Sequence, residues 1–188
     1  MSNWTDLRRE VLECRACAEL AAGRQSVVFG SGGPGAKSLF VGEAPGARED
    51  AVGEPFVGPS GQLLDQVLDE VGLSRDAVAV TNVVKCRPPG NRTPTREEAA
   101  RCRRWLDAQV AILDPVVVCT LGATATAWAL GRPVRLSDVR GRPMPYDGRL
   151  LVATYHPAAA IRGGRSGPTM DALRSDIALV AELAATQP

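Results

Sequence analysis

Short apolar runs that alternate with amphipathic helices make this chain an α/β protein, with a parallel sheet between two layers of helix. Three observations carry that expectation. Ser38-Leu-Phe-Val-Gly42 is a brief, wholly apolar run closed by glycine, the pattern of a buried strand. Leu63, Leu64, Val67, Leu68 and Val71 then recur at helical spacing after Ser60 and Gly61. Finally, the loops that follow the apolar runs carry most of the chain's unusual polar residues, and ligands of such sheets bind beyond the carboxyl ends of the strands.

Taken in order, residues 4–22 read as a helix bearing Cys14 and Cys17, and 25–37 as a Gly/Pro-rich loop leading inward. The strand at 38–42 is followed by a long loop, 42–61, and the helix just described. A second strand falls at 77–81. Thr95 with Glu98 three residues on forms a capping box, opening a helix to about residue 113 that bears Cys102. A third strand at 115–120, a helix at 122–130, a fourth strand at 150–154 and a closing helix at 170–185 complete the series. Three loops therefore converge at one edge of the sheet: 42–56, 82–91 and 156–164.

A length of 188 residues with 45% hydrophobic content suits one domain, residues 1–188, with a substantial core. No run approaches the ~20 apolar residues of a membrane span, and the first residues do not form a signal peptide, so an intracellular protein is expected. The formal charge of +1 says nothing by itself about nucleic acid. Local clusters say more. Lys85, Arg87 and Arg92, and again Arg162 and Arg165, lie in Gly/Pro-rich loops, where phosphate contact is expected. Arg101, Arg103 and Arg104 suit a solvated helix face.

The cysteines are distributed as two pairs, Cys14 with Cys17 and Cys86 with Cys102, far apart in the chain. Four thiolates suit tetrahedral zinc or the corners of an iron–sulfur cluster, which would fasten the amino-terminal segment to a distant loop. Two disulfides or scattered buried thiols are the competing account, which an intracellular setting disfavours. Cys119, inside an apolar run, reads as an inert core thiol.

The first loop reads Gly42-Glu43-Ala44-Pro45-Gly46, then Glu49-Asp50, then Pro55-Phe56-Val57-Gly58. The second reads Thr81-Asn82-Val83-Val84-Lys85-Cys86-Arg87-Pro88-Pro89, then Asn91-Arg92, and the third Tyr155-His156-Pro157-Ala158-Ala159. Together with the cysteine spacing, these motifs closely resemble the family 4 uracil-DNA glycosylases, which carry a four-iron cluster. The resemblance runs from Cys14 to the last helix. It implies a four-stranded parallel sheet between helices (an α/β/α sandwich) and a base-excision repair enzyme that cuts the N-glycosidic bond of deoxyuridine in DNA. Free uracil would be the product, and single- or double-stranded uracil-containing DNA the partner of a monomeric, cytoplasmic, nucleoid-associated prokaryotic protein. It also tips the cysteine site from zinc to a [4Fe-4S] cluster on Cys14, Cys17, Cys86 and Cys102, a choice that spacing leaves open.

The residues can be set against that chemistry. A base within a duplex is unreachable until its nucleotide is flipped out, at a cost of a few kcal/mol. Phe56 is placed to stack on the flipped pyrimidine, a contact worth roughly 1–3 kcal/mol; a core phenylalanine anchoring its loop is the alternative. Asn82 offers a donor and an acceptor to uracil O4 and N3–H, a pairing that cytosine inverts. His156, the chain's single histidine, is expected to donate to uracil O2 as charge builds on the leaving base, and as a neutral imidazole. Gly42, Glu43 and Ala44 complete the base site.

In the best-known branch of the superfamily the first motif is G-Q-D-P-Y, and its aspartate positions water. Ala44 stands at that place here, so Glu43, Glu49 and Asn91 are expected to share one polar network around the water. Gly46 stands where that branch has the tyrosine that blocks the thymine methyl. On the DNA side, Ile161 is the candidate wedge, Arg162 and Arg165 the phosphate grips, with Pro45 and Ser60 contributing through backbone at helix starts. A branch that traps its product through a histidine in a basic insertion has no counterpart between Lys85 and Thr95. Two rivals stay open: a non-catalytic nucleic-acid-binding module, and a zinc-stapled nucleotide-binding α/β protein.

Overall fold

The computed structural model describes residues 3–186. Its core is a five-stranded sheet of β1 (Ser38–Gly42), β2 (Ala79–Asn82), β3 (Val117–Leu121), β4 (Pro143–Tyr146) and β5 (Arg149–Thr154), in the order β2-β1-β3-β5-β4. Four strands are parallel, as the alternation of runs implied; β4 instead pairs antiparallel with β5. The expected four-stranded parallel sheet thus gains an antiparallel edge. Pro143 and Pro145 concealed it, because proline cannot donate to a ladder and is confined to edges. The cue was the Asp147-Gly148 step, whose two positive φ angles, 46° and 75°, fit a tight hairpin turn.

Strand pleating sorts the core into two layers. Phe40, Val80, Cys119 and Val152 face one side and pack against α4 (Pro59–Glu70), α8 (Pro157–Arg162) and α9 (Pro168–Thr186). Leu39, Val41, Ala79, Val118 and Leu151 face the other and pack on α5 (Arg96–Leu113) and α6 (Ala123–Leu130). Cys119 is wholly buried, the core thiol that its apolar run indicated.

A third, smaller core brings the amino-terminal segment to the rest. Leu7 and Val11 of α1 (Trp4–Leu12) and Leu20 of α2 (Ala18–Gly23) pack with Val27, Phe29 and Cys86 against Trp105 and Ile112 of α5. The single helix expected over residues 4–22 is therefore two helices, and Cys14–Cys17 form the break between them. No glycine or proline marks that break. Arg24 makes it, its Nη2 donating to the Cys14 carbonyl at 2.7 Å and its Nη1 lying 2.9 Å from Cys86 Sγ. Two long loops also prove partly helical, one holding α3 (Ala47–Val52) and the other α8, while α7 (Leu136–Val139) precedes β4.

The strand order fixes where a ligand can sit. From β1 the chain crosses outward to β2, whereas β3 lies on the other side of β1 and leads outward to β5. Loops leaving the adjacent carboxyl ends of β1 and β3 therefore diverge, and a crevice opens between them.

Candidate active site

The crevice is a cleft of about 790 Å³ whose wall draws on the ends of β1, β2, β3 and β5. Its lining includes Glu43, Ala44, Glu49, Phe56, Ser60, Asn82, Asn91, His156 and Arg162, so three separated stretches of sequence meet there as expected. Thr124, Arg48 and Thr93 line it as well. None of those three was expected; Thr124 follows the Leu121-Gly122 strand end, and that position at a parallel strand's terminus was the available signal.

Asn82 ends β2 and is 2% exposed. Its backbone carbonyl accepts from Lys85 Nζ at 2.8 Å, but among the described residues its carboxamide has no hydrogen-bond partner. The carboxamide lines the cleft, where a ligand or water can reach its donor and acceptor. Phe56 sits beside it at φ 55°, a left-handed conformation that costs a non-glycine residue on the order of 1 kcal/mol. Gly61 makes that geometry possible, because a Cβ there would collide with the Phe56 carbonyl carbon and oxygen. The ring belongs to the core beside α4, so it anchors its loop, and it lines the cleft as well. It lies 5.8 Å from the His156 ring, centroid to centroid, at 29°. Gly42 is fixed by the same contact: an added Cβ would lie 2.6 Å from Phe56 Cζ and against Asn82 Oδ1.

His156 is the amino-terminal cap of α8, with Pro157 in the first helical position. Its Nδ1 accepts from the Ala158 N–H at 3.1 Å, so in the neutral ring the proton resides on Nε2. Burial, aided by the Arg162 charge and opposed by Glu49, lowers its pKa to about 4. At neutral pH it is an uncharged donor.

The carboxylates take separate partners. Glu43 accepts from the Thr124 hydroxyl through Oε2, while its carbonyl accepts from Val84 N at 3.2 Å. Glu49 Oε1 accepts from Gly58 N at 2.7 Å and Oε2 from Gly46 N at 3.1 Å, so the side chain reaches back to the N-cap amide of α3, where the glycine has no side chain to reciprocate. Asn91 accepts from Arg87 Nε at 2.7 Å. The three line one cleft, yet no hydrogen bond joins them among the described residues, because each is already engaged by a nearer donor. They share the cleft without direct contact. A Cβ on Gly46 would lie 2.8 Å from Glu49 Oε2, so the glutamate fills the room that the glycine leaves.

On the outer side, Ser60 and the exposed Arg162 line the cleft, and Arg165 is exposed nearby at φ 59°. Pro45 is buried and proline has no N–H, so it cannot grip a phosphate as expected. Ile161 is half-buried on α8, packed against the core on one side. Lys85 also departs from expectation. It is 1% exposed and donates to Thr81 Oγ1, the Asn82 carbonyl and Gln109 Oε1, and burial lowers its pKa to about 8. Arg92 is held by Glu98 at 2.7 Å. Arg101 and Arg103 pair with Glu97 and Asp107 along α5, the solvated face anticipated.

The four cysteines line a second, smaller cavity beside Arg24, Lys85 and Trp105. Trp105 Nε1 lies 3.3 Å from Cys14 Sγ. Burial pushes the Cys102 thiol up to about 11, against the pull of Lys85. The thiols surround the cavity and do not close on one point: among the described residues no group of three or more His, Cys, Asp or Glu is arranged to hold a metal ion.

This architecture has known counterparts. The sequence profile of the Uracil DNA glycosylase superfamily matches residues 29–177, and the chain belongs to that superfamily. A type-4 uracil-DNA glycosylase of Thermotoga maritima is 46% identical over 154 residues, 81% of this chain and 80% of that protein. The type-4 enzyme of Sulfurisphaera tokodaii is 41% identical over 86% of this chain and 77% of its own length. That of Saccharolobus solfataricus is 37% identical over 100% and 89%. Within the superfamily, the chain is a member of the type-4 family.

Two outcomes follow from the geometry. Gly42→Ala is expected to displace Phe56 and the Asn82 carboxamide and to lower stability by about 1–3 kcal/mol in urea unfolding; an unchanged midpoint would show the contact to be slack. The single histidine should titrate by proton NMR near pH 4, where an exposed imidazole titrates near 6.5. The unfolded chain takes that proton first. The histidine therefore leaves stability unchanged above about pH 6.5 and erodes it as pH falls from 6.5 towards 4. A midpoint near 6.5 would contradict the buried, capped imidazole.

Proposed function

We propose that the protein excises uracil from DNA by hydrolysis, releasing the free base and leaving an abasic site. The observation that carries this reading is the Asn82 carboxamide, which lines the cleft without a hydrogen-bond partner among the described residues and stands beside an aromatic ring and a neutral imidazole donor. The flipped uracil enters the cleft and stacks on Phe56 while Asn82 pairs with O4 and N3–H. Cytosine would bring donor against donor there and leave buried groups unpaired, which supports strong discrimination. The Glu49 carboxylate, standing against Gly46, is the group available to turn away a 5-methyl substituent.

Reaction breaks the C1′–N1 bond, and its electrons pass to the base. His156 Nε2–H donates to O2 as that charge grows, with no proton transfer required. A water adds to C1′ of the oxocarbenium-like sugar, and the proton it loses ends, by way of solvent, on the departing uracil anion, giving the free base. Glu43, with one carboxylate oxygen unpartnered among the described residues, orients that water and offsets the sugar's positive charge. Arg162 and Arg165 hold the flanking phosphates, and Ser60 supports them from the start of α4.

Cys14, Cys17, Cys86 and Cys102 would hold a [4Fe-4S] cluster. Thiols spread around a cavity suit one thiolate per iron better than a single shared ion, and the Arg24 and Trp105 donors suit charged sulfurs. Bound there, the cluster supplies a cross-link between the amino-terminal helices and the segment that follows Asn82; the hydrolysis itself needs no electrons.

The test is a fluorescent oligonucleotide holding one deoxyuridine, treated with protein and then alkali. Strand breakage at that position, and none with thymidine there, is expected; no breakage would overturn the reading. Asn82→Ala should lose about 100-fold or more in rate, two hydrogen bonds' worth. Cys86→Ala should cost the purified protein its iron and its absorbance in the blue. A colourless but zinc-loaded wild type would replace the cluster with the simpler metal.

A further inference from the structure

We infer that Thr124 is a positioning residue for Glu43: its hydroxyl clamps one oxygen of the carboxylate so that the other alone faces the reacting water. The inference rests on the excision reading and adds to it a residue from a part of the chain that none of the three motif loops contains.

Thr124 lies in the first turn of α6, and its side chain makes one hydrogen bond, to Glu43 Oε2. Thr126, two residues on, behaves differently, bonding the Thr120 hydroxyl and the Gly122 carbonyl within its own β–α unit. Thr124 thus reaches across the crevice from the β3 side to the β1 side, whereas Thr126 serves only the local turn. Glu43 is pinned at both ends. Its carbonyl accepts from Val84 N, and its side chain accepts from Thr124, leaving Oε1 without a protein partner among the described residues.

The clamp is itself anchored to the leaving-group side of the cleft. Gly122 N donates to the Thr154 carbonyl at 2.8 Å, two residues before His156. Gly122 adopts φ +94°, and a Cβ there would lie 3.2 Å from His156 Cβ. The loop that presents Thr124 is therefore seated against the loop that presents His156. One hydroxyl sets the carboxylate relative to both the sugar and the imidazole. A carboxylate with a free χ would lose that registry, and small misplacements of reacting groups are costly in rate.

The experiment measures single-turnover uracil release with protein in excess, for wild type, Thr124→Val, Thr124→Ser, Glu43→Gln and the Glu43→Gln/Thr124→Val pair. Removing a hydrogen bond to a charged group predicts a loss of about tenfold or more in the saturated rate for Thr124→Val. Half-saturating protein concentration should stay within roughly twofold, because Thr124 does not hold the DNA. Thr124→Ser should recover most of the rate. In the Glu43→Gln background, Thr124→Val should cost little more, since the hydroxyl acts only through the carboxylate. A wild-type rate for Thr124→Val, a loss confined to half-saturation, or an equal loss in the Glu43→Gln background would each overturn the role. Should Thr124→Val melt below the assay temperature, Thr124→Ala read against Thr124→Ser makes the same comparison. An inactive wild type would instead sink excision itself, and the clamp with it.

Discussion

Gly42 has no side chain, and the shape of the cleft depends on it. Strand β1 ends there, next to β2, and the bare Cα is the surface on which the Phe56 ring and the Asn82 carboxamide come together. Phe56 can bend back over it only because Gly61 leaves the Phe56 backbone room to adopt a left-handed turn. Two glycines nearly twenty residues apart thus shape one aromatic wall. The divergence of the loops after β1 and β3 then opens the space in front of it.

The cleft and the cysteine-lined cavity are joined through a short stretch of backbone. Asn82 closes one and Cys86 borders the other, with Lys85 between them. Fully buried, Lys85 ties the Asn82 carbonyl to Thr81 and to Gln109 of α5. A charge so deeply placed is tolerable only with all its donors occupied, and here three acceptors meet them. Any rearrangement around the thiols is therefore felt at the peptide that carries the Asn82 side chain. The residue that looked like a phosphate contact in sequence serves instead as an internal strut.

The parallel sheet, the convergence of three loops and the four cysteines were legible because they rest on local signals: apolar runs, helical spacing and unusual residues at strand ends. Asn82, Phe56 and His156 were legible for the same reason, each lying in a short motif. What stayed hidden depends on partners distant in sequence. Nothing near Lys85 reveals that Gln109 will cover it, and nothing near Cys14 reveals that Arg24 will break the helix there. Nothing near Glu49 in sequence reveals that Gly58 will hold one of its oxygens. Thr124 sits in an alanine-rich helix with no motif around it, and only the fold brings it to Glu43. Strand β4 was masked by its own prolines.

Those prolines have a consequence for solution behaviour. An open sheet offers unpaired amides along its outermost strands, and a neighbouring molecule can pair with them. Here one margin is β4, where Pro143 and Pro145 contribute no N–H, and the other is β2, where Ser31 exchanges backbone hydrogen bonds with Val80 in both directions. Both flanks are blunted against accretion. A protein crowded along a polyanion is thereby kept from seeding strand-to-strand stacks with its own copies.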